Sequence, residues 1–81
     1  MKIFGDNNEV LNEVVLCLTQ DEAKELSASI AILANNPEMH HHHVCSEDHK
    51  TEITVSVYTN NNIKEFHPDF RKILHDDLGA D

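Results

Sequence analysis

Eighty-one residues hold one domain, spanning 1–81, and a chain this short buries only about 60–65 % of the surface its unfolded form exposes. Fifteen acidic side chains against six Lys and Arg give a net charge of −9. The cationic residues, Lys2, Lys24, Lys50, Lys64, Arg71 and Lys72, are scattered, which argues against nucleic acid and anionic membrane as partners and favours a basic protein or a metal cation.

Residues 1–4 read as a short strand ended by the turn residues Gly5-Asp6-Asn7-Asn8. Residues 10–18 are rich in β-branched and aliphatic side chains and predict a longer strand, with Val14, Leu16 and Leu18 on one face and Val15 and Cys17 on the other. Thr19-Gln20-Asp21-Glu22 has the form of a capping box. Apolar groups then recur at helical spacing: Ala23, Leu26, Ile30, Leu33 and Ala34. Asn35-Asn36-Pro37 stops this helix, because proline disfavours the helical conformation of its predecessor.

Residues 40–46 and 51–59 flank the polar stretch Glu47-Asp48-His49-Lys50, the pattern of a hairpin. Ile53, Val55 and Val57 alternate with Glu52, Thr54, Ser56 and Tyr58, as in a half-buried antiparallel strand. After the loop Asn60-Asn61-Asn62, His67-Pro68-Asp69 opens a second helix with proline in its first turn. Its predicted buried stripe is Phe66, Phe70, Ile73, Leu74 and Leu78. The predicted fold is therefore α+β in the order ββαββα: one antiparallel sheet of three to four strands with two helices packed on one face.

The run His40-His41-His42-His43 stands out. In an extended conformation, with Val44 inward and paired with Ile53, His40 and His42 face the first helix. His41, His43 and Cys45 then face outward beside Ser56, Thr54 and Glu52. Imidazole and thiolate suit zinc, nickel or copper. The candidate metal ligands are His41, His43 and Cys45, with Cys17, His49 or Glu52 as additional donors and zinc or nickel as the ion. No paired Cys-x-x-Cys knuckle fixes a tetrahedral site. A structural role competes: inward His40 and His42 would donate to the carbonyls near Ala34 and Asn35, and solvated imidazoles would confer pH-sensitive partner binding.

Enzyme machinery is not legible. Cys45 near histidines fits a thiolate nucleophile, but an exposed hairpin supplies no pocket or oxyanion hole. Two glycines cannot build a phosphate-binding loop. Asp76, Asp77 and Asp81 sit against the negative end of the second helix, which predicts fraying there or a partner's basic patch. Two cysteines make no disulfide framework, and Met1-Lys2-Ile3-Phe4-Gly5-Asp6 lacks an apolar signal core, so a reduced cytoplasmic protein is expected.

The segments Leu18-Thr19-Gln20-Asp21-Glu22-Ala23-Lys24-Glu25-Leu26, His40-His41-His42-His43-Val44 and Glu52-Ile53-Thr54-Val55-Ser56-Val57-Tyr58-Thr59 resemble stretches of small uncharacterised bacterial proteins. Some of these are labelled immunity proteins of toxin systems, and the resemblance implies a binding role. The leading expectation is a non-enzymatic protein-binding or regulatory domain, such as an immunity-type inhibitor of a basic partner. A homodimer through the hairpin or an open sheet face is also expected. The alternative is a metal-binding or metal-sensing domain built on His41, His43 and Cys45.

Overall fold

A computed structural model describes residues 1–39 and 41–78, so the predicted inward His40 and the terminal Asp81 lie outside the described residues. The first two strands, β1 (Ile3–Phe4) and β2 (Val10–Leu11), pair antiparallel with Ile3 opposite Leu11. Their turn closes through Gly5 N–H donating to Glu9 O at 2.8 Å. Asn8 takes φ 64° there, a left-handed conformation that asparagine tolerates.

Helix α1 (Gln20–Asn35) begins at the predicted capping box. The Glu22 amide donates to Thr19 Oγ1 at 3.1 Å, and the Thr19 amide donates to Glu22 Oε1 at 2.9 Å. At the far end Asn35 Nδ2 and Asn36 Nδ2 donate to the carbonyls of Ala31 and Ile32. A 3-10 turn, Pro37–Met39, leads into β3 (His42–Cys45), which pairs antiparallel with β4 (Glu52–Val55). Val44 lies opposite Ile53, the predicted register. A second 3-10 turn, Ile63–Glu65, precedes α2 (Pro68–Asp77), which has Pro68 in its first turn and His67 Nδ1 accepting from the Asp69 amide.

The chain is α+β, but its sheet differs from expectation. The described strands form two separate two-stranded sheets, β1–β2 and β3–β4. Residues 12–18, predicted to continue a long strand, have no regular structure. Strand propensity takes effect only where a neighbour supplies hydrogen bonds, and β1 is two residues long. The helices also divide between the hairpins. Helix α1 lies against β3, while α2 meets β1 where the Phe4 and Phe70 rings stack with centroids 4.2 Å apart.

Burial is correspondingly thin. Leu33, Val44, Ile63 and Leu74 are the buried apolar residues among those described. Along α1 the covered line runs through Leu26, Ser29 and Leu33, whereas the predicted Ile30 is exposed. A ribbon as narrow as β3–β4 covers a narrower stripe than a wide sheet would. The radius of gyration, 13.5 Å, exceeds the roughly 12 Å of a compact domain this long. Among the described residues, no helix is long and apolar enough to cross a membrane.

Candidate functional site

The predicted ligand set falls into three groups, although Cys45 stands opposite Glu52 and His43 opposite Thr54, the predicted register. On β3 and β4, His43 Nδ1 lies 2.5 Å from Glu52 Oε1 and 2.9 Å from Thr54 Oγ1. A carboxylate only accepts, so Nδ1 carries the proton, and the remaining donor position on a neutral His43 is Nε2. The His41 and His43 rings meet edge to face with centroids 5.0 Å apart. Glu52 therefore orients an imidazole instead of standing beside it as an equal ligand. His49 sits apart at the hairpin turn, exposed, at φ 60°.

The third group holds the thiols. Cys17, in the irregular segment before α1, and Cys45, at the end of β3, line one small cavity of about 130 Å³ and are both unoxidised. Leu18, Val44 and Ile53 form its apolar wall. Among the described residues no histidine lines it. Among the described residues no three His, Cys, Asp or Glu side chains converge as a metal site would need.

The hairpin loop beside this cavity is held by hydrogen bonds. Ser46 Oγ donates to Asp48 Oδ1 at 2.5 Å, and the Lys50 amide donates to the same oxygen at 3.0 Å. The serine hydroxyl first, and the Lys50 amide second, hold the Asp48 carboxyl below its usual range. Glu22 is held low by the Thr19 amide and then by the Glu47 amide, which donates to Oε2 at 2.9 Å.

Asp77, at the acidic end of α2, is paired within the chain. It accepts from the Tyr58 hydroxyl at 2.9 Å and lies 3.4 Å from Lys2 Nζ and 3.6 Å from the amino terminus. The Tyr58 hydroxyl bond, ahead of Lys2, keeps its carboxyl below the usual range. Burial, and secondarily this bond to Asp77, pushes the Tyr58 hydroxyl up. Among the described acidic residues, Asp77 is the one paired with a lysine or the amino terminus.

Two features escaped the sequence reading. One is Asn62, buried in the triple-asparagine loop, whose side chain accepts from the Thr59 amide at 2.7 Å and donates to the carbonyls of Pro37 and Val57, each at 2.8 Å. It floors an open groove of about 520 Å³ flanked by the carboxylates of Glu38 and Glu65. A Thr-x-x-Asn spacing is the local signal for such a turn. The other is the exposure of Val14, Leu16 and Leu18, the face of residues 10–18 expected to point inward; Val15 and Cys17 belong to the face expected to point outward. Val15 is 77 % exposed, and Val14 and Leu16 are about half exposed. From residue 13 to residue 18 no backbone N–H or C=O is hydrogen-bonded to the rest of the described chain. No protein-family model, curated protein or solved structure matches this chain.

Proposed function

We propose that the protein is a non-catalytic binding module that takes up an extended strand of a basic partner protein along residues 12–18. The observation that carries this reading is the β-prone, apolar segment with its backbone unpaired and its side chains in solvent. Such a segment is a template for strand addition, in which main-chain hydrogen bonds give affinity and alternate side chains give specificity. The wider sheet that the sequence predicts would then be completed by the partner's strand. A net charge of −9, with most carboxylates unpaired among the described residues, steers a cationic partner toward this surface. Inhibition of a basic toxin by an immunity-type protein is the concrete form of such binding.

Calorimetry against the basic products of the genes flanking its own tests this proposal. Affinity should weaken as salt rises and should fall roughly tenfold or more with Val15→Lys. Association indifferent to both would remove the proposal. A second reading, a zinc or nickel site on His41 and His43, is supported by the carboxylate behind His43, an arrangement that orients metal-ligating imidazoles. Titration of either ion into chelator-treated protein, with His41→Ala/His43→Ala as the control, tests it; binding that survives the double substitution refutes it.

A further inference from the structure

We propose that Cys17 and Cys45 together form a two-thiolate site for a soft monovalent ion, copper(I), at the end of the proposed partner-binding segment and distinct from the histidine pair. The two thiols come from segments far apart in sequence and line the same cavity of about 130 Å³. A side-chain hydrogen bond joins the two segments that carry them. Thr19 Oγ1 donates to Glu47 Oε1 at 3.4 Å, and Cys17 and Cys45 each lie two residues before one end of that bond.

Two further polar side chains of the cavity, Glu22 and Ser46, already hold hydrogen bonds. Glu22 accepts the amides of Thr19 and Glu47, and Ser46 Oγ donates to Asp48 and accepts from the Thr51 amide. The two thiols are the soft ligands the cavity offers. Zinc seeks about four donors in a tetrahedron, and no such convergence exists among the described residues. Copper(I) is selected by thiolates and, as a closed-shell monovalent ion, accepts two of them in line. Leu18, Val44 and Ile53 give the site an apolar side beside the two thiols. Binding displaces both thiol protons: two R–SH and Cu⁺ give [Cu(SR)₂]⁻ and two H⁺, with no change of oxidation state.

The test is anaerobic titration of the reduced full-length chain with copper(I) in competition with bicinchoninate. One ion per chain is expected, with ultraviolet thiolate-to-copper absorption. Cys17→Ser and Cys45→Ser should each weaken binding roughly a hundredfold or more, and His41→Ala/His43→Ala should leave it unchanged. Retention of full affinity by either serine variant, one ion shared by two chains, or loss of binding in the histidine variant would each overturn the proposal. Circular dichroism checks the fold of the variants, and if Cys45→Ser does not fold, the exposed Cys17→Ser decides alone.

Discussion

Glu22 joins two parts of the molecule through its two carboxylate oxygens: Oε1 accepts the Thr19 amide, and Oε2 accepts the Glu47 amide, each at 2.9 Å. The start of α1 and the hairpin loop after β3 are thereby closed by one side chain. Thr19→Ala removes the hydroxyl half of the box and should cost about 1 kcal/mol, or a fall of roughly 4–8 °C in Tm. Glu22→Gln replaces one accepting oxygen with an amide that donates. Its distinguishing signature is faster hydrogen exchange at the Glu47 amide. Unchanged exchange there would mean that the loop is held by something else.

The acid limb of stability follows from three carboxylates. Glu22, Asp48 and Asp77 are all held below their usual range by hydrogen bonds formed in the folded chain. A depressed folded pKa favours the ionised native state. Its contribution is complete above the unfolded carboxylate range of about pH 4 and is lost as pH falls through the folded values. The Tm should therefore be flat from neutrality to about pH 5 and drop below about pH 4. The triple variant Glu22→Gln/Asp48→Asn/Asp77→Asn should flatten that drop. An equally steep acid limb in the triple variant would place the responsible groups elsewhere.

Asn62 tests how a small core is closed. Its side chain serves one amide and two carbonyls in a buried position. Asn62→Ala leaves those backbone groups without partners and should cost about 3 kcal/mol in denaturant unfolding. Asn62→Asp should be at least as harmful. A carboxylate accepts but does not donate, and it would add a charge to a groove that Glu38 and Glu65 also line. A loss under about 1 kcal/mol in both variants would show that water replaces the side chain without strain.

Which features the sequence reveals depends on how far apart their causes lie. Thr19 with Glu22, the proline after Asn36, and Pro68 in the first turn of α2 are settled within a few residues, so they are readable. The Val44–Ile53 register is readable because a slip of one residue would expose Val44. The extent of a strand is decided elsewhere. Residues 12–18 have strand composition, but the neighbour they need was absent from the local pattern. The candidate site divides along the same line. His41 and His43 share a face by parity alone, whereas the turning of Glu52 onto His43 and the sharing of one cavity by Cys17 and Cys45 depend on tertiary placement.

Salt separates two occupants of the exposed segment. A second copy pairing along residues 12–18 would bring two chains of charge −9 together, so screening by salt should promote self-association. A basic partner is attracted by the same charge, so screening should weaken that complex. Light scattering of the chain alone and calorimetry with the partner, each at about 0.05 and 0.5 M salt, measure the two signs directly. Val15 is 77 % exposed, so Val15→Lys should change stability by less than about 0.5 kcal/mol while weakening both associations. Self-association that rises with salt, together with no response to a basic partner at low salt, would assign the segment to a homodimer and refute the proposed module.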